Sequence, residues 1–300
     1  MIVITGATGN TGRPAAESLL DKGDKVRVIG RDVKKLEPLI ARGAEPFVAD
    51  VQDADAMTRA FQDADAVYLI IPQALHRDDF RDYQERISDA YAKAVATARV
   101  PYAVTLSSIG AQHASGTGPI VGLHNLEHKL NDIPGLNVLH IRAGYFMENL
   151  LQNVGPIKSM GFMPGGESGD TPVPMIATKD IGRYAAERLH ARDFSGTSAQ
   201  DLLGQRDVSI KEVAGVIGKA IGKPNLHYMH VPFMVLEPAL VKMGLPKSSA
   251  ALIIEMWKAG KEGLVAPTEP RSMKNTTPTT IEEFVEEVFV PAYNAKSTAA

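Results

Sequence analysis

A chain of 300 residues, 44% hydrophobic and 22% charged, has room for one large domain or a domain and a half with a proper core. Its formal net charge of −3 gives no broad basic face and so argues against nucleic acid as a partner. The absence of cysteine excludes disulfides, thiolate nucleophiles and Cys-held metals, and fits a reducing, cytoplasmic setting. No apolar run approaches the roughly 20 residues a membrane-spanning helix needs, so no membrane partner is expected.

The opening MIVITGATG has no basic leader and reads as a strand, IVIT (2–5). GRPAAESLLDKG (12–23) follows as a helix, with Pro14 tolerated in its opening turn and Gly23 as its stop. KVRVIG (25–30) is a second strand, and DVKKLEPLIARG (32–43) a helix that Pro38 kinks or shortens. EPFVAD (45–50) supplies a third strand and DADAMTRAFQDA (53–64) a helix opened by an Asp cap. AVYLII (66–71) is apolar throughout, as expected of a strand covered on both faces, and belongs in the middle of the sheet.

The long amphipathic stretch 78–100 leads to a fifth strand, YAVTLSS (102–108), a helix containing LHNLEHKL (123–130), and a sixth strand, NVLHIR (137–142). Beyond it the rhythm changes. Residues 155–175 are rich in Gly and Pro and read as a loop that closes over a ligand. Helices are expected at 178–191 and 209–222, a small helical part carrying Met, Phe and Trp257 at 228–263, and a Thr-capped, acidic-fronted helix near 280–293. The closing NAKSTAA (294–300) is expected to fray.

Six strands with helical crossovers predict an α/β fold: a Rossmann-type doubly wound parallel sheet with a smaller, mainly helical C-terminal region. Residues 1–150 are assigned to the NAD(P)-binding domain. Residues 151–300 are expected in part to return to that sheet and in part to form a small substrate-pocket domain.

Directly after the first strand stands Gly6-Ala7-Thr8-Gly9-Asn10-Thr11-Gly12, a G-x-x-G-x-x-G run that opens the first helix. Glycines there let the backbone turn sharply and approach a pyrophosphate, while free amides at the helix start supply donors. Gly6, Thr8, Gly9, Asn10, Thr11 and Gly12 are therefore assigned to cofactor binding. An acid at the tip of the second strand would favour NAD, whereas an arginine favours a 2′-phosphate. Gly30 occupies that tip and Arg31 follows, with Lys34 and Lys35 nearby, so NADP(H) is preferred over NAD(H). Asp32 stands about 20 residues beyond Gly12, as in an NAD fingerprint, but reads more simply as a helix N-cap.

His124-Asn-Leu-Glu127-His128 matches the H-x-x-E-H zinc-peptidase pattern, with two imidazoles on one helical face. A zinc site needs a third ligand and an open position, which the sequence does not mark out, so no metal is expected.

The chain resembles the NmrA-like group of atypical short-chain dehydrogenases, related to isoflavone-reductase-like and triphenylmethane-reductase-like proteins. The resemblance rests on ITGATGNTGRP, VIGRD, FVADVQDADAM, TLSSIGA, IRAGYFMENLL, ATKDIGRYAAERL and NTTPTTIEEFVEEV, nearly the whole chain. It implies that Asp50 and Val51 lie beside the adenine, that Ile71 and Pro72 line the cofactor groove, and that Tyr145 and Phe146 face the nicotinamide or substrate. Read without it, Asp50 is a turn or helix cap and Val51, Ile71 and Phe146 are core.

The wider superfamily carries Tyr-x-x-x-Lys on the helix after the fifth strand, and this chain has no such pair there. His124 is the candidate catalytic replacement, because an imidazole can donate a proton near neutrality, with Ser107 or Ser108 as an accompanying hydroxyl. Two functions stay open. One is an NADPH-dependent oxidoreductase passing hydride to an electron-poor small molecule such as a quinone, dye or conjugated carbonyl, with quinones suited to a site that lacks a strong general acid. The other is an NADP(H)-binding redox sensor acting on a regulatory protein partner. A homodimer is equally open.

Overall fold

The computed structural model describes residues 1–295, and the part of the fraying expectation beyond residue 295 falls outside them. The first half alternates strand and helix: β1 (Ile2–Ile4), α1 (Gly12–Asp21), β2 (Val26–Gly30), α2 (Val33–Ile40), β3 (Glu45–Val48), α3 (Ala54–Ala60), β4 (Ala66–Leu69), α4 (Phe80–Ala98), β5 (Tyr102–Ser108), α5 (Val121–Asn131) and β6 (Asn137–Ala143). Polar caps open two of the helices as the sequence suggests. Asp32 accepts from the Lys34 amide ahead of α2, and Asp53 accepts from the Asp55 and Ala56 amides ahead of α3. Pro38 sits inside α2, which ends two residues later.

The second half holds β7 (Tyr145–Phe146), α6 (Val154–Met160), β8 (Met163–Gly165), β9 (Val173–Ile176), α7 (Thr178–Ala191), β10 (Thr197–Leu202), β11 (Asp207–Val208), α8 (Ile210–Ala220), β12 (Tyr228–His230), α9 (Phe233–Lys242) and α10 (Lys247–Lys261). Near the C-terminus, Ile281–Phe284 begins a helical segment with a capping box between Thr280 and Glu283.

A seven-stranded parallel sheet runs in the order β10-β6-β5-β4-β1-β2-β3. Its seventh strand, β10, is an addition to the six expected. The order reverses beside β1, which places a crevice at the C-terminal ends of β1 and β4. Alternation along β1 shows why both faces need cover: Ile2 and Ile4 join one core with Leu19, Val28 and Ile181, while Val3 joins the other with Phe61, Ile87 and Tyr91. A third core, with Met147, Ile157, Met175, Val213, Phe284 and Phe289, supports the C-terminal part. Residues 155–175, expected to be irregular, contribute most of α6 together with β8 and part of β9.

Within the sheet His140 of β6 stands opposite Thr105 of β5. Its Nδ1 pairs with Thr105 Oγ1 at 2.8 Å and its Nε2 with Asn131 Oδ1 at 2.8 Å. An amide oxygen only accepts, so Nε2 carries the proton and the Thr105 hydroxyl donates to Nδ1. Burial pushes the imidazole down from 6.5 to about 4. A neutral form favoured by folding gives stability that is full above the unfolded value and is lost as pH falls towards the folded one. The interval from 6.5 to about 4 corresponds to about 3 kcal/mol. Thermal melts between pH 7 and pH 4 should therefore show a drop in the parent protein that is distinctly shallower in His140→Gln. Parallel profiles would refute this assignment.

Candidate active site

The glycine run forms the turn between β1 and α1. Gly6 has φ +59°, a left-handed conformation that disfavours any side chain. A Cβ on Gly12 would lie 2.2 Å from the Gly6 carbonyl oxygen, so the helix can start this close to the turn only without one. Gly9 differs. It is exposed with Thr8 and Asn10, and a Cβ there would meet only the Gly6 oxygen, at 3.2 Å, a tight contact relieved by a shift of a few tenths of an ångström. Among the described residues the amides of Thr8, Asn10, Thr11 and Gly12 have no hydrogen-bond acceptor. Unused donors at a helix start, bared by small residues, fit a pyrophosphate.

Arg31 and Asp32 follow at the tip of β2, both exposed. The Asp32 carboxylate is engaged by the Lys34 amide at 3.0 Å, whereas Arg31 makes no ion pair among the described residues. A Cβ on Gly30 would meet the Leu36 side chain at 3.2 Å, so the strand tip itself is closely covered. At the end of β3, Asp50 accepts from the Gln52 amide at 2.9 Å, a turn-capping geometry, and Val51 packs into the core.

Thr5 ties the glycine turn to β4. Its hydroxyl donates to the Tyr68 carbonyl at 2.9 Å and accepts from the Ile70 amide at 2.8 Å. Gly6 lies against the Ile70 side chain, and the Tyr91 hydroxyl donates to the Ile70 carbonyl at 2.8 Å. The next two residues, Ile71 and Pro72, stand in the wall of a cavity of about 340 Å³. That cavity lies at the C-terminal ends of β4, β5 and β6 and is also lined by residues between 167 and 174 and by α10. Tyr145 and Phe146 line it, as do Leu106, Ser107 and Ser108. Gly144 allows the approach, since a Cβ there would lie 2.3 Å from the Pro174 carbonyl oxygen.

The sequence reading missed Glu167 and Trp257, which also line this cavity. The signal for Glu167 was a Gly-Gly pair before an acid in the stretch read as a loop closing over a ligand, whereas Trp257 was placed in the small helical part without a role at the site.

The histidine motif divides between two faces of α5. Glu127, 3% exposed, turns inward to accept from Ser107 at 2.5 Å and from Arg142 at 2.6 and 3.0 Å. Burial alone would raise this carboxyl, but the hydrogen bonds from Arg142 and Ser107, with nearby positive charge, hold it below its ordinary value. His124 and His128 lie side by side with ring centroids 4.2 Å apart, and His124 Nδ1 pairs with the Ala111 carbonyl at 2.8 Å. Facing a carbonyl, that nitrogen is the donor. His124 is not among the residues that line the cavity, although its neighbour Leu123 is. Among the described residues no group of three His, Asp or Glu is placed to hold a metal ion.

A family model described as the NmrA-like family matches residues 1–285. The chain is 27% identical over 270 residues to a (4-alkanoyl-5-oxo-2,5-dihydrofuran-3-yl)methyl phosphate reductase of Streptomyces griseus, covering 89% of this chain and 91% of that protein. It is 27% identical over 296 residues to quinone oxidoreductase 2 of Escherichia coli, covering 96% and 99%. In structure it resembles the Escherichia coli NADPH-dependent quinone oxidoreductase solved in complex with NADPH, with TM-score 0.81 at 24% identity over 96% of this chain and 100% of that one, a likeness of fold.

Proposed function

The chain belongs to the NmrA-like family, and from that premise we propose that it is an NADPH-dependent oxidoreductase acting on an electron-poor small molecule such as a quinone or a conjugated carbonyl. The observation that carries this reading is the placement of the apolar cavity next to the glycine turn, joined to it through Thr5, Ile70 and Ile71 on one edge of the sheet. The relatives support it, since one is named for quinones and the other for a ring whose carbonyl is conjugated with a double bond. Bound along that edge, NADPH would supply the hydride, and the protein would supply position and exclusion of water.

Each part of the edge then has a task. The free amides from Thr8 to Gly12 hold the pyrophosphate. Arg31 faces the adenosine 2′-phosphate, while Asp50 and Val51 flank the adenine. Ile71 and Pro72 guide the cofactor towards the cavity, and Tyr145 and Phe146 present an aromatic wall to the acceptor. A planar, conjugated acceptor suits such a wall because it buries apolar faces and keeps its carbonyl groups at the edge.

Cofactor titration tests the first half of this reading. NADPH should bind at least about tenfold more tightly than NADH, a preference worth about 1.4 kcal/mol, and Arg31→Ala should erase most of it. Equal affinities in the parent protein would refute the assignment of Arg31.

A further inference from the structure

Three ionisable side chains line the cavity: Tyr145, Glu167 and Lys261. Lys261 stands exposed at the rim. Tyr145 is partly buried, and burial pushes its phenol far above its ordinary value, so it does not release a proton near neutrality. Three of the cavity's hydroxyls have their protons committed, Ser107 to Glu127, Ser108 to the Ile109 carbonyl and Thr171 to Ser168, and Ser168 itself is an exposed alcohol, a far weaker acid than a carboxyl. Glu167 has no ion-pair partner among the described residues, and Lys211, in the adjoining depression, is paired with Asp170 at 2.7 Å.

The backbone is shaped to receive this carboxyl. A Cβ on Gly165 would fall 2.6 Å from Glu167 Oε2 and 2.8 Å from the Tyr228 hydroxyl, and a Cβ on Gly166 would fall 2.7 Å from the Trp257 ring. The two glycines therefore let the acid fold back over the chain between Tyr228 of β12 and Trp257 of α10. Tyr228 is itself fixed, donating to the Glu167 carbonyl at 2.8 Å.

Resting on the reductase reading above, we infer that Glu167 is the proton donor of the site, delivering its proton to the carbonyl oxygen of a conjugated acceptor as hydride arrives. In the balanced step NADPH loses hydride and is oxidised to NADP⁺, and a new C–H bond forms on the acceptor. The displaced electron pair moves to the carbonyl oxygen. There an O–H bond forms as the Glu167 Oε–H bond breaks, and the carboxylate regains a proton from water at the cavity mouth. Burial raises the Glu167 carboxyl above its ordinary value, against weaker opposing contributions from its own backbone and the neighbouring Trp257 side chain, which favours the protonated acid. The groups that act on it are Tyr145 from β7, Tyr228 from β12 and Trp257 from α10, with Lys261 farther along α10 in the same cavity wall.

Trp257 is the chain's single tryptophan, so its fluorescence reports cavity occupancy without turnover. The test compares the parent with Glu167→Gln and Gly165→Ala, using NADPH and 2-methyl-1,4-naphthoquinone across pH. Glu167→Gln should lower kcat about 100-fold and remove the fall in rate at high pH, with quinone quenching of Trp257 retained. Gly165→Ala, which displaces the carboxyl without removing it, should lower kcat with quenching also retained. A Glu167→Gln enzyme with parental kcat and pH profile would overturn the inference, as would loss of quenching in that variant. A parent protein that binds NADPH and quinone yet consumes neither would instead overturn the reductase reading, and this inference with it.

Discussion

Gly9→Leu is expected to weaken NADPH binding by at least about 100-fold, roughly 2.7 kcal/mol, while leaving the melting temperature within a few degrees of the parent. The expectation comes from the difference between the three glycines. Gly6 is in a left-handed conformation and Gly12 would clash at 2.2 Å, so substitution of either disturbs the turn itself. Gly9 is exposed, outside the left-handed region, and its nearest neighbour is an oxygen 3.2 Å from the added carbon. A side chain there would fill the space in front of the free amides and keep a pyrophosphate from reaching them. Binding followed by titration calorimetry, beside a thermal melt, separates the two effects. Retained affinity would contradict the phosphate-loop assignment.

Arg142→Ala should be the most destabilising single change at the site. It leaves the Glu127 carboxylate buried with only Ser107 to answer it, a circumstance that costs about 3–5 kcal/mol. Removal of both charges together, as in Glu127→Gln with Arg142→Met, should recover much of the loss, because the penalty belongs to the unpaired charge. Denaturant unfolding of the three proteins checks this. A single variant as stable as the parent would mean that the ion pair is not the support of the cavity floor that its contact with Ser107 makes it. Activity should fall along with stability, since Ser107 stands in the cavity wall.

These two networks differ in how legible they were in the sequence. The glycine turn announces itself, because glycine spacing after an apolar run has few uses other than a tight turn at a helix start. The buried β4 likewise reads directly from its unbroken apolar run. The α5 motif was legible only as a helix. Spacing put His124 and His128 on one face, but nothing local shows that Glu127 points inward, since its partner Arg142 lies on β6, fifteen residues on. Nor does spacing show that His124 sits off the cavity wall.

β10, with the sequence TSAQDL, was missed for a similar reason. Its first four residues lie at a sheet edge and alternate between exposed and half-buried, so it lacks the apolar run that marks the inner strands. Residues 155–175 read as loop because Gly and Pro dominate them, and that concealed Glu167. The expectation of a site without a strong acid followed from the missing Tyr-x-x-x-Lys pair alone, and tertiary folding brings a carboxyl to the cavity from a different segment.

The central claim is tested most directly by following NADPH consumption by the purified protein with a panel of quinones, triphenylmethane dyes and conjugated carbonyl compounds. Sustained turnover with at least one acceptor, faster with NADPH than with NADH, is the predicted result. NADPH that binds tightly while every acceptor remains unreduced would contradict it and leave the redox-sensor alternative in its place.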